Sequence, residues 1–289
     1  MKRSMMKGNT IMMAQGIMTK HSIVTVSLAV GLVMGVASVA AAGFPRFPVS
    51  KCGADAVLAG TVCLDTYEAS VWRVPDATTT NATLVGKIRL GLATRADLTT
   101  GGATQLGTAG DDYAPCTNNG QNCANDIYAV SLPSEIPSAF ITWFQAQEAC
   151  ANAGKRLPTN AEWQVGANGT PDPGPDNGTT DCNTASDGSA SLTGARSSCV
   201  SARGAFDMVG NVAEWVADWV PQSTACPGWA SFSNDNMCLA GASTTANFPG
   251  ALLRGGAFAS IGGPLAGPLA IRDFPLFRSA AFIGFRCAR

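Results

Sequence analysis

Beyond the N-terminal apolar run, residues 204–220, GAFDMVGNVAEWVADWV, crowd apolar positions among only three charges, Asp207, Glu214 and Asp218. Phe206, Met208, Val209, Val212, Trp215, Val216, Trp219 and Val220 recur at spacings of both two and three to four. That periodicity leaves strand and helix open. The pattern at 137–153 is clearer and predicts a helix. Phe140, Phe144 and Ala149 lie near one face, Ser138 is placed to N-cap it, and Gly154 is placed to close it. A second short helix is predicted after Pro158, with Thr159 and Glu162 forming a capping box. Lys155 and Arg156, between the two, read as partners of the first helix's C-terminal dipole or as ion-paired structural residues. Residues 61–74 have the β-branched and aromatic content of strands, and Glu68 within them reads as a satisfied structural acid. Residues 99–125 and 171–201 are rich in Gly, Asn, Asp, Ser and Thr and read as loops. The second loop offers oxygen donors, among them Asp172, Asp176 and Asn183, but no fixed ligand spacing, which favours a solvated loop over a calcium loop.

Charge and cysteine content add a compartment. Lys2, Arg3, Lys7 and Lys20 lead into an apolar run over 23–39 that ends at Ala40-Ala41-Ala42, which is the pattern of an export signal over residues 1–42. The run is short and Gly/Ala-rich for a membrane anchor. No membrane span is therefore expected in the mature chain. Removing the signal takes four of nineteen basic residues, leaving fifteen against twenty acidic ones, a net of −5. No basic stripe remains, which argues against a nucleic-acid partner. The sole histidine, His21, also leaves, and with it any catalytic triad or imidazole metal site. All ten cysteines lie after residue 42. An even count behind an export signal predicts disulfides formed in the periplasm, at the cell surface or in the medium. Spacing predicts local staples Cys52–Cys63, Cys116–Cys123, Cys182–Cys199 and Cys226–Cys238.

Four motifs carry a family resemblance: GKRLPTNAEW at 154–163, the apolar stretch at 204–220, LRGGAF at 253–258 and GFRCAR at 284–289. A D-x-Y-E-x-S pattern at 65–70 accompanies them. In this order they resemble the formylglycine-generating-enzyme, or sulfatase-modifying-factor, family. The resemblance spans 137–289, with 43–136 as the N-terminal part of the domain. It implies an α+β fold, a loop-rich, disulfide-stapled variant of the C-type-lectin fold with two helices and short antiparallel strands. It also implies a long-range Cys150–Cys287 bridge. By position, the family's calcium would fall on the carbonyls of Val209, Gly210 and Val212 and on the Glu214 carboxylate, chemically hard oxygens of the right type. The residues alone equally allow Glu214 to pair with Arg254 or Arg286. Trp215 matches a pocket-lining tryptophan of the enzymes, and a core tryptophan fits its surroundings as well.

The enzymes oxidise a substrate cysteine with copper(I) held by two thiolates shortly after the Gly-Gly pair. Counted from Gly255-Gly256, the family's serine position is Ala257, and its two cysteine positions are Ser260 and Leu265. No cysteine lies between Cys238 and Cys287, so copper is not expected and no catalytic residue is assigned. The expected function is an exported ligand-binding module whose surface spans 257–282. The residues expected to meet the ligand, a protein or other surface molecule, are Ala257, Ala259, Ser260, Ile261, Arg272, Asp273, Phe274, Phe277 and Arg278, with Trp215 behind them. The competing expectation is a sulfatase-modifying oxidoreductase acting on protein cysteines. Residues 253–289 contain no Lys, Glu, Gln, Met or Trp, the five types that codons ending in a pyrimidine cannot encode. That gap resembles the variable segments made by diversity-generating retroelements. A hypervariable segment predicts a near-copy of these codons beside a reverse-transcriptase gene, and a neighbourhood lacking both rules it out.

Overall fold

The computed structural model describes residues 52–289 apart from 173–175, 186–187, 229–230, 232, 240–244, 246–247 and 262. The predicted export signal at 1–42 lies outside the described residues. The chain enters through a hairpin, β1 (Ala56–Ala59) and β2 (Val62–Asp65), whose two-residue turn carries Gly60 at φ 68°. β3 (Ala69–Arg73) follows, buried along nearly its whole length.

Two helices come next that the hydrophobic pattern did not predict, α1 (Ala82–Arg89) and α2 (Arg95–Thr100). Four helices, not two, are therefore present among the described residues. α2 starts at a complete capping box between Thr94 and Asp97. Leu84, Val85, Ile88 and Leu98 of this pair pack with Trp72, Val74, Tyr128 and Val130. Those partners belong to or adjoin a three-stranded antiparallel sheet, in which β3 lies between β4 (Thr104–Leu106) and β5 (Ile127–Ser131).

α3 (Trp143–Asn152) begins later than the pattern predicts. Ser138 is not its cap. Its hydroxyl accepts from the Val71 amide at 2.8 Å and donates to the Leu106 carbonyl at 2.6 Å, which holds it in the sheet. Phe140 then reverses the chain at φ 54°, and Thr142 and Gln145 form the capping box instead. Gly154, at φ 70°, ends the helix as expected. α4 (Asn160–Gly166) carries the Thr159–Glu162 capping box. Glu162 also takes both terminal nitrogens of Arg156 at 2.7 Å, and Lys155 is buried between Asp55 and Asp65 at 2.6 Å each.

The stretch at 204–220 resolves into a loop followed by a strand, which is why it showed two periods at once. β6 (Ala213–Pro221) forms a mixed five-stranded sheet with β7 (Met237–Cys238), β8 (Pro249–Arg254), β9 (Ile271–Pro275) and β10 (Ile283–Phe285). The order is β10-β6-β8-β9-β7, and the outer pairs β10–β6 and β7–β9 are parallel rather than antiparallel. All ten cysteines are paired, in the four local staples and the Cys150–Cys287 bridge. That bridge ties α3 to the last strand, and the chain end is laced to β2 through both backbone bonds between Cys63 and Arg289.

Candidate ligand-binding site

The loop before β6 sits on a buried ionic centre. Arg286, fully buried, donates its Nε and Nη2 to Glu214 at 2.6–2.9 Å and its remaining protons to the carbonyls of Asp65, Thr66 and Phe206. Trp163 Nε1 donates to Glu214 Oε2 at 2.7 Å. Glu68 accepts from the Val212 amide at 2.9 Å and from the Asn211 side chain. Asp207 accepts from the Gly194 amide at 2.7 Å. Three buried carboxylates thus surround one guanidinium. Burial, reinforced by the charges of Asp207 and Glu214, pushes Glu68 well above the ordinary carboxylate range. Burial raises Asp207 to about 6, against the opposing pull of its Gly194 hydrogen bond.

This geometry bears on calcium. Both oxygens of Glu214 are taken by an arginine and an indole N–H, so an ion on Val209, Gly210, Val212 and Glu214 would have to displace Arg286 and sit against its charge. The donor set in this chain does not suit calcium; a guanidinium fills the role of the cation. In the loop at 171–201, Asp176 accepts from the amides of Gly178, Thr184 and Ala185, and Asn177 from those of residues 179–181. Those oxygens are spent on the loop itself.

The ionic centre positions the segment above it. The Gly210 amide donates to the Gly255 carbonyl at 3.2 Å and the Phe258 amide to the Asn211 carbonyl at 2.9 Å. Gly255 and Gly256 leave β8 at φ 82° and 77°. A Cβ on Gly256 would come within 2.4 Å of the Leu265 carbonyl, so only glycine allows the chain to fold back there. Arg254 lies over the Trp163 ring at 4.4 Å and donates to the carbonyls of Ala270 and Pro268, fixing the return. Between the outgoing and returning chain lies a mostly apolar cavity of about 160 Å³.

Ala257, Ala259, Ser260, Leu265 and Arg272 line this cavity, with Ala213 from β6 and Phe282 just before β10. Ala257, Ser260 and Leu265, the positions that the resemblance aligns with the enzymes' serine and two cysteines, all line this cavity, and none of the three carries a thiol. A second, more polar groove of about 460 Å³ shares Arg272 and Cys238 with it and adds Asp273, Phe274 and Arg278. Ile261 and Phe277 are exposed outside both walls. Trp215 is not at the site. It is fully buried in the main core and donates to the Ile141 carbonyl at 3.1 Å. Sequence reasoning missed Asn236 and Cys238 as cavity walls and Gln222, Ser223, Thr224 and Phe248 as groove walls. Asn236 and Cys238 arrive through the parallel β7–β9 pairing, and residues 222–224 and Phe248 through the chain that leaves β6 and enters β8, neither of which a local pattern announces. Only the Cys226–Cys238 staple pointed that way.

Comparison with known proteins agrees with this architecture. Residues 99–289 match the Sulfatase-modifying factor enzyme 1-like domain family. An 89-residue stretch is 37% identical to the serine/threonine-protein kinase Pkn1 of Chlamydia trachomatis serovar L2, covering 29% of this chain and 14% of the kinase. The Major Tropism Determinant P3c variant aligns at a TM-score of 0.43 with 19% identity, over 81% of this chain and 52% of its own. PvdO from Pseudomonas aeruginosa aligns at 0.38 with 20% identity, over 79% and 80%. Treponema denticola variable protein 1 aligns at 0.32 with 18% identity, over 53% and 70%. The chain spans about half of the tropism determinant's length and a small part of the kinase's. With well over half of its 289 residues matched, the chain belongs to the sulfatase-modifying factor enzyme 1-like domain family and has the formylglycine-generating-enzyme-like form of the C-type-lectin fold.

Proposed function

We propose that the protein is an exported ligand-binding module that uses the family's reaction cavity as a receptor site and does not synthesise formylglycine there. One observation carries this reading. The cavity is formed, but Ala257, Ser260 and Leu265 stand at its reactive positions, and all ten cysteines of the chain are held in disulfides. The copper(I) of the family's enzymes is held by two thiolates, and disulfide sulfurs do not supply them. The five disulfides support an oxidising, extracytoplasmic location. No helix among the described residues is long and apolar enough to cross a membrane. The 257–282 segment contributes cavity wall, groove wall and exposed lip, which is where a variable sequence would alter ligand choice without touching the core.

The cavity can be tested without knowing the natural ligand. An apolar cavity of about 150 Å³ in another protein admits benzene, so benzene serves as the probe. Added to isotope-labelled protein, it is expected to shift amide resonances within 253–272 and in β6 and β10, and few elsewhere. Ala257→Leu, which fills the cavity, and Ala259→Trp, which covers its mouth, are expected to abolish those shifts while leaving the circular dichroism unchanged. Shifts that scatter over the molecule, or that survive both substitutions, sink the reading.

A further inference from the structure

The charge around the cavity narrows the class of ligand. Most cations in the described residues have acidic partners. Arg73 pairs with Asp126, Lys87 with Asp97, Arg95 with Glu135, Arg156 with Glu162, Arg286 with Glu214, and Lys155 and Arg289 with Asp55. Arg272 and Arg278 are exposed, line the same groove and have no ion-pair partner among the described residues. The acid on that groove, Asp273, is 6% exposed, its carboxylate accepts from the Ser223 amide at 3.1 Å, and the charge of Arg272 acts on it. Two exposed guanidiniums therefore share the groove with one mostly buried carboxylate, on a chain whose net charge is −1.

Their placement is specific. Arg272 stands on the wall common to cavity and groove. In the sheet it lies opposite Leu253 on one side and Cys238 on the other, and both of those line the cavity. Its guanidinium is 5.8 Å from the Phe274 ring centroid, a contact that steadies the side chain before any ligand arrives. Arg278 follows β9 in a turn closed by its own amide to the Pro275 carbonyl at 3.0 Å. At the lip, Ile261 is 85% exposed at φ 57°, one residue from the cavity-lining Ser260. A β-branched residue in the left-handed region is strained. Neither its conformation nor its exposure helps the isolated chain, and both suit a contact made by a partner.

We propose that the site takes an acidic peptide segment of a partner protein, in which a compact apolar side chain fills the cavity and a neighbouring carboxylate meets Arg272 and Arg278. This rests on the binding reading above and adds the ligand class. The cavity's volume suits a branched aliphatic or phenyl group. Arginine's planar fork suits a carboxylate, and an unpaired arginine pair on an otherwise acidic protein draws acidic partners selectively. Two arginines are too few for a nucleic-acid face, which needs a basic stripe.

The test uses the full mature protein and fluorescein-labelled, C-terminally amidated Gly-Ser-Leu-Asp-Ser-Gly, read by fluorescence polarisation at low salt. Saturable binding is expected, weakened about 10-fold or more when the peptide's Asp becomes Asn or its Leu becomes Asn. Arg272→Gln and Arg278→Gln, both at exposed positions, are each expected to weaken it about 10-fold and to reduce its salt dependence. Equal binding of the Asn-for-Asp peptide, or unchanged binding by both arginine variants, overturns the proposal. Tighter binding of a peptide that ends in Leu with a free carboxylate also overturns it, moving the anion to a chain terminus. If the peptide fails while benzene still shifts the cavity resonances, the ligand class is wrong and the binding reading stands. If both fail, the site itself is wrong.

Discussion

Replacing Cys150 and Cys287 together by alanine is expected to lower the free energy of unfolding by about 4–5 kcal/mol. The bridge closes a separation of 137 residues, the longest of the five, and the entropic model assigns its largest constraint to such a loop. Both sulfurs lie fully buried in the main core, so their loss also leaves a void. The amide of Cys287 donates to Asp65 Oδ2 at 3.1 Å, and Asp65 holds Lys155, so a loosened final strand also disturbs that buried ion pair. Urea denaturation of the wild type and the double variant measures the difference. A loss under about 1 kcal/mol would mean that the β2 and β6 pairings fix the chain end without the bridge.

Arg286→Met is expected to cost about 3–5 kcal/mol near neutral pH, because it strands Glu214, Glu68 and Asp207 without their cation. The pH dependence has a definite sign. In the wild type Asp207 has a folded value of about 6 against an unfolded 3.8, so its contribution is fully present below 3.8 and is lost as pH rises through 6. Glu68, raised well above 4.5, acts in the same direction. Without Arg286 these acids are harder still to ionise. The variant is therefore expected to gain stability relative to wild type as pH falls from about 7 to about 4, the reverse of ordinary acid denaturation. Adding Glu214→Gln, which keeps an acceptor for Trp163 and removes one stranded charge, is expected to recover part of the loss. A variant whose deficit is constant across that pH range would show that the carboxylates do not depend on Arg286.

The contrast between what was legible and what was not has a physical pattern. Disulfides closing short loops were legible because sequence proximity is spatial proximity when the loop is small. The Thr159–Glu162 box was legible because capping is a local exchange of hydrogen bonds. Ser138 misled for the same reason. Its hydroxyl had a plausible local role, and a non-local demand from Val71 and Leu106 outbid it. α1 was missed because it has only eight residues, holds Gly86, and gains its stability from Trp72 and Tyr128 on a distant sheet. At the site, the 257–282 half of the cavity was legible through the family resemblance, which places the reactive positions shortly after the Gly-Gly pair. The opposite cavity wall at β7 and the groove wall at 222–224 were not legible, because long-range sheet pairing delivers them. Glu214 shows the remaining limit: one carboxylate beside carbonyl-rich loop suits calcium or arginine equally, and only its geometry with Arg286 and Trp163 chooses.

The proposed function has the chain keep the cavity without the oxidation that the family's enzymes carry out. Incubating the non-reduced protein with copper(I), oxygen and a cysteine-containing peptide, and following the peptide by mass spectrometry, decides whether that oxidation occurs. The account predicts that only the thiol and its disulfide are recovered, at the level of a protein-free control. Aldehyde accumulating beyond one equivalent per protein chain would contradict it and restore the oxidoreductase.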